Sequence, residues 1–139
     1  MCFLLPDEIT EGAALRGNEY GWEAGTFPKA LKKASALGYA CLGGQFQFRL
    51  DCGTYEMYWI DADSDERFRD ESWSKFCERS CSQVLQKFEQ RIESTDFAKE
   101  VTDWPSLREA SKGSTRLEEM LVFVAYFVTE SDWLTDHGR

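Results

Sequence analysis

Two short runs of alternating side chains, Gln45-Phe46-Gln47-Phe48-Arg49-Leu50 and Tyr55-Glu56-Met57-Tyr58-Trp59-Ile60, flank Asp51-Cys52-Gly53. Alternation with a period of two residues marks a strand with one buried face and one wet face, and a glycine-containing link between two such runs marks a hairpin. Placing Leu50 opposite Tyr55 sets Phe48 against Met57 and Phe46 against Trp59 on one face. Arg49 then lies beside Glu56, and Gln47 beside Tyr58, on the other. A slip of one residue would set Phe48 against Glu56, so the side chains favour the first register. Gly43-Gly44, just ahead of the first run, predicts a bulge or a close approach of another backbone.

Helical patterns lie on both sides of this hairpin. Thr26 with Pro28 reads as an N-cap and first turn, and Phe27, Ala30, Leu31, Ala34 and Leu37 then fall on one face before Gly38 ends the helix. A longer helix is predicted from about 72 to 93, where Trp73, Cys77, Cys81, Val84, Phe88 and Ile92 form a stripe widened by Phe76 and Leu85. Ser94-Thr95-Asp96 breaks it. A short helix follows, and Asp103-Trp104-Pro105 opens another that stops near Gly113.

The two ends of the chain are less legible. Residues 1–25 carry little periodicity and four glycines (Gly12, Gly17, Gly21, Gly25), which reads as irregular structure with at most a helical turn. Residues 117–129 allow two readings. Thr115 with Glu118 resembles a capping box and favours a helix, whereas the Val, Phe and Tyr content of Leu121 to Thr129, apolar on both faces, favours a buried strand. A short turn followed by a strand fits better. Together these elements give an α+β domain spanning 1–139: a small antiparallel sheet, made of the 45–60 hairpin and a C-terminal strand, packed against two main helices. The Phe27 and Trp73 helices would cover Phe46, Phe48, Met57 and Trp59, leaving Gln45, Gln47, Arg49, Glu56 and Tyr58 on an open face.

A chain of 139 residues suits one ordinary domain and can bury a core without disulfides or a structural metal. Sixteen basic residues against 25 acidic ones give a net charge of −9 at pH 7. Such a surface repels nucleic-acid backbones and anionic lipid and attracts a basic partner. The acid is concentrated in 1–25 and in 61–71, while 26–50 is basic. Five cysteines (Cys2, Cys41, Cys52, Cys77, Cys81) form no evident framework, which points to free thiols in a reducing compartment. With no secretory signal or membrane-length apolar run to be read, the expected location is cytoplasmic.

Few residue patterns in the sequence match a known chemistry. Asp61-Ala62-Asp63-Ser64-Asp65 resembles the opening of a calcium loop, but Glu66 stands where glycine is needed and Ser72 where a bidentate glutamate belongs. Cys77 and Cys81, one helical turn apart, read better as small buried apolar residues than as half of a zinc site. The only histidine, His137, falls in a tail and is poorly placed to act as a base. No nucleophile elbow, phosphate loop or dinucleotide fingerprint is present. The sequence thus implies no catalytic residue, cofactor or metal, and it reads as that of a binding protein.

Acids interleaved with aromatics supply the candidate contact residues: Glu19-Tyr20-Gly21-Trp22-Glu23, Tyr58 at the hairpin, and Ser131-Asp132-Trp133. Tyrosine and tryptophan anchor protein interfaces, and surrounding charge governs association. In size, charge and acid–aromatic surface the chain resembles the bacterial immunity proteins, small acidic cytosolic antidotes that neutralise a cognate toxin. The resemblance implies a stoichiometric complex with a protein partner, a basic toxin domain. As an expectation, Tyr58 and the loop carboxylates Asp61, Asp63, Asp65 and Glu66 would make that contact, with Tyr20 and Trp22 as further anchors. Two other classes remain. One is a small-molecule or peptide binder, or a hydrolase pairing Glu56 with a loop acid, built beside Gly43-Gly44. The other is a non-catalytic adaptor subunit.

Overall fold

The computed structural model describes residues 4–112 and 116–137. Its elements run α1 (Asp7–Thr10), β1 (Ala13–Arg16), β2 (Glu19–Glu23), α2 (Phe27–Ala36), β3 (Ala40–Leu50), β4 (Gly53–Asp63), α3 (Trp73–Ser94), α4 (Phe97–Thr102), α5 (Pro105–Ala110), α6 (Leu117–Met120), β5 (Leu121–Val128) and α7 (Glu130–His137). The class is α+β. All strands pair antiparallel in one five-stranded sheet of order β1-β2-β5-β3-β4.

The C-terminal apolar run is a strand, preceded by the single helical turn of α6, and it occupies the centre of the sheet. That position explains its composition, because a central strand needs apolar residues on both faces. Seven of its eight residues are buried, Tyr126 alone being exposed. Thr115 and Gly113 lie outside the described residues. At the start of α6 the Arg116 N–H donates to the Glu119 carboxylate at 3.4 Å.

Within residues 1–25, the stretch from Asp7 to Glu23 holds a helical turn and two strands in place of the expected irregular structure. Arg16 pairs with Glu19 across the two-residue turn Gly17-Asn18, forming a β1–β2 hairpin, and β2 docks on β5 through Gly21↔Val124, Trp22↔Phe123 and Glu23↔Val122. The signal was a glycine-asparagine link between short runs that alternate once Ala13 to Glu23 is read by twos. Two tight hairpins of this kind flank the central strand.

The β3–β4 hairpin adopts a register two residues from the expected one. Its turn is only Asp51-Cys52, so Leu50 faces Gly53, Phe48 faces Tyr55 and Phe46 faces Met57. A shift of two leaves every side chain on its predicted face, which is why Phe46, Phe48 and Met57 are still in the core. Trp59 is not. Consecutive residues Gln45 and Phe46 pair with Asp61 and Met57, so Tyr58, Trp59 and Ile60 form a bulge on β4. Ile60 takes the buried place, while Trp59 is 56% exposed and packs against Trp104 with ring centroids 6.0 Å apart. A second bulge sits where expected. Between Cys41 and Gly43 the β3–β5 register shifts, and a β-carbon on Gly44 would lie 1.9 Å from the Val124 carbonyl oxygen.

α2 and α3 cover one face of the sheet. Phe27 of α2 and Phe88 of α3 meet Phe46 and Phe123, a cross-strand pair, with ring centroids 4.7–5.4 Å apart. Such ring pairs each add about 0.5–1.5 kcal/mol beyond area burial. The α3 stripe is buried at Phe76, Cys77, Cys81, Val84 and Phe88, and Ser72 caps the helix by accepting from the Lys75 N–H at 3.2 Å. Thr26 does not cap α2; its hydroxyl instead faces the carbonyls of Glu23 (3.1 Å) and Gly12 (3.3 Å). No described helix is long and apolar enough to cross a membrane.

Candidate functional site

Directly opposed residues define the rows of the sheet face opposite α2 and α3. Glu56, Gln47, Val122 and Glu23 form one row; Gln45, Val124, Gly21 and Ala14 form the next. Arg49 and Glu19 extend it on either side. Long polar side chains roof the valines. Arg49 does not pair with Glu56: its Nε donates to Gln47 Oε1 at 2.6 Å, its Nη1 to the Ala14 carbonyl at 2.7 Å and its Nη2 to the Glu19 carbonyl at 2.9 Å. Gln47 is consequently only 1% exposed. Burial, then the charge of Arg16, lowers the Arg49 guanidinium below its usual range.

The acids of this face are freer than its bases. Arg16 donates to the Leu50 carbonyl at 2.9 Å, and Arg49 to two carbonyls and the Gln47 side chain, so both guanidinium groups are engaged within the sheet. Glu56 accepts from the Tyr58 hydroxyl at 2.7 Å, and Glu19 accepts from the Tyr126 hydroxyl at 2.5 Å. Tyr58 is 64% exposed on the β4 bulge. The Tyr126 hydroxyl is pushed up to about 12, by burial first and then by the Glu19 hydrogen bond. The open face is therefore an acidic surface set with tyrosines.

The 61–71 segment is not a free acidic loop. Asp61 lies 3.3 Å from Arg91, and its carbonyl accepts from Arg91 Nε at 2.9 Å. The Asp63 carbonyl accepts from Lys87 at 2.6 Å, and its carboxyl is raised by desolvation and then by the charge of Asp61. Asp65 takes a hydrogen bond from Gln83 at 2.9 Å. Glu71, its side chain 7% exposed, pairs with Arg79 at 2.7 Å, and Arg79 also donates to the carbonyl of Glu66 at 3.0 Å. These bonds tie the segment along α3. Arg67 lies between the rings of Trp73 (5.2 Å) and Trp133 (4.9 Å), which holds α7 against the same region. Among the acids of this segment, Asp63, Asp65, Glu66 and Asp70 are exposed and Asp61 partly so.

Of the other expected anchors, Tyr20 is half-buried and Trp22 is wholly buried. Trp22 belongs to the core: its ring packs on Phe27 and Phe127, and its Nε1 donates to the Ile9 carbonyl at 2.8 Å. It cannot touch a partner in this conformation. The sequence missed Tyr126 and Glu19 as a pair, since the order of strands that joins them is not visible in local patterning.

Three of the four described cysteines are buried. Cys77 is pushed up to about 11 and Cys81 to about 12, each chiefly by burial, and Cys41 is raised well above the ordinary thiol range for the same reason. Thiols so held are poor nucleophiles. Cys2 lies outside the described residues. His137 is not in a loose tail; it ends α7 with its ring stacked 4.4 Å from Trp133 and its Nδ1 3.0 Å from the Trp133 carbonyl. His137 and Ser64 both line a cavity of about 250 Å³, but the Ser64 hydroxyl donates to the Cys41 carbonyl at 2.8 Å. Of the expected pairing of Glu56 with a loop acid, Glu56 is engaged by Tyr58, and among the loop acids Asp61 is engaged by Arg91 and Asp65 by Gln83. Among the described residues no group of three or more His, Cys, Asp or Glu side chains is arranged to hold a metal ion.

A cleft of about 310 Å³ opens at one end of the sheet, where β2 and β5 part. Tyr20, Leu42, Tyr126 and Leu5 wall it, with Glu19 and Asp136 among its lining residues. No protein-family model, no curated protein and no solved structure matches this chain.

Proposed function

We propose that this chain is a binding protein that takes a basic protein partner on the open face of the sheet, as a bacterial immunity protein takes its toxin. The observation that supports the reading is the imbalance on that face: Arg16 and Arg49 are bound to backbone carbonyls, while Glu23 is exposed and the half-buried Glu19 and Glu56 accept from the hydroxyls of Tyr126 and Tyr58. A net charge of −9 would draw a cationic partner from a distance. Tyrosines would anchor it at contact, since they bring apolar area and a polar tip at small entropic cost.

The test is protection. Co-expression with a basic toxin domain encoded beside its gene should rescue cells, and the purified pair should associate with a rate that falls steeply with salt. Reversing Glu23 and Glu56 to lysine should slow association about tenfold or more at low salt, whereas reversing Glu89 and Glu93, exposed on α3, should not. Reversing Asp63, Asp65 and Glu66 asks separately whether the tethered loop joins the contact. Failure of the Glu23 and Glu56 reversals to change association would remove the open face from the interface.

A further inference from the structure

We infer that the cleft between β2 and the far end of β5 receives an arginine side chain of the protein partner, an inference that rests on the binding reading above. The β2–β5 ladder stops at Gly21↔Val124, although β2 reaches back to Glu19 and β5 runs on to Val128. The strands splay, and the gap between them is the cleft of about 310 Å³. This is at the small end of the range of roughly 300–1,000 Å³ typical of ligand sites, suited to one side chain rather than a helix.

The lining chooses the occupant. Every described residue around the cleft is either uncharged or acidic, with Glu19 and Asp136 supplying carboxylates and Asn18 an amide. An anion would meet repulsion there and a neutral apolar group would gain nothing from the carboxylates, whereas a cation pairs with them. Leu5, Leu42 and Val128 offer apolar wall for a methylene stem, and Tyr20 and Tyr126 offer ring surface. Guanidinium fits this set better than ammonium, because its plane stacks on rings while its edge donates to carboxylates in pairs. The Tyr126 hydroxyl donates to Oε2 of Glu19 at 2.5 Å, which fixes that carboxylate in place and leaves Oε1 to receive the ligand. The cleft adjoins the open face through Glu19 and Tyr126, so an arginine seated in it would be continuous with the proposed contact surface.

The experiment titrates the intact protein with N-acetyl-arginine amide and with the isosteric neutral citrulline derivative, followed by heteronuclear NMR. Saturable shifts centred on Glu19, Tyr20, Tyr126 and Asp136 are expected with arginine, and binding about tenfold weaker or absent with citrulline, as expected when a charge-assisted contact is lost. Glu19→Gln with Asp136→Asn should abolish the difference between the two probes; Asp136→Asn alone, at an exposed helix position, serves if the double variant does not fold. Equal shifts from both probes, or arginine shifts elsewhere on the surface, would overturn the assignment. With a partner in hand, unchanged affinity of the Glu19→Gln, Asp136→Asn protein refutes the cleft while leaving the open-face contact standing. Selective arginine binding by a chain that fails the protection and association tests above would overturn the binding reading and, with it, the assignment of the cleft to a partner's side chain.

Discussion

The guanidinium of Arg49 lies directly over Gly21, its carbon 2.9 Å from the point a β-carbon on that glycine would occupy. The two residues sit on strands separated by β5, and the absence of a side chain at Gly21 is what lets the arginine cross the sheet to the carbonyls of Ala14 and Glu19. Gly21→Ala should therefore displace Arg49 and destabilise the protein by about 1–3 kcal/mol, the usual cost of overpacking. Arg49→Ala in the same background should recover part of that loss. Chemical denaturation of the single and double variants measures it, and additive effects would show that the crossing does not matter.

The bulge on β4 reverses which of two neighbours supports the core. Ile60→Ala should cost about 2–5 kcal/mol, as for other buried aliphatic truncations. Trp59→Ala, although it removes the larger side chain, should cost about 1 kcal/mol or less, since the ring is largely in water. Equal losses at the two positions would mean that the strand pairs in the simpler register expected from alternation.

Among the four described cysteines, alkylation of the native protein should mark Cys52 alone. It lies exposed in the β3–β4 turn, whereas Cys41, Cys77 and Cys81 are buried with their thiols held protonated. Peptide mass spectrometry before and after denaturant reads this directly. Fast native labelling at Cys81 would contradict its burial between α2 and α3.

Acid should weaken the tether of the 64–72 segment. Hydrogen bonds from Arg79, outweighing some desolvation, hold the Glu71 carboxyl below its usual range. A carboxyl whose folded value is depressed contributes stability above its unfolded pKa, about 4.3 for glutamate, and loses that contribution as pH falls through the folded value. Glu71→Gln should accordingly lower the thermal midpoint at neutral pH and flatten its decline between about pH 5 and pH 3. A variant whose midpoint falls with acid as steeply as that of the parent would show that the Arg79 pair is not responsible.

Much of this architecture could be read from local pattern because local physics sets it. Helices α2 and α3 were visible in their stripes, and the strand character of Leu121 to Val128 in its β-branched and aromatic content. What escaped was non-local. The bulge at Tyr58 to Ile60 depends on how β4 meets β3, and the burial of Trp22 depends on β2 docking against a strand about a hundred residues later. The site suffered most from this. Asp61 and Asp65 read as free because the arginine and glutamine that engage them come from a helix face whose neighbours the sequence does not state. Glu19 and Tyr126, 107 positions apart, could be joined only by knowing the strand order.

That order has a consequence for how the molecule comes into being. Both early hairpins are complete before Leu121 is made, yet neither touches the other as a sheet until β5 slides between them. A nascent chain halted ahead of that residue holds two separate ribbons, each with an unsatisfied inner edge. Ribosome-bound intermediates should thus resist protease poorly until β5 has cleared the exit tunnel, and then become protected in one step.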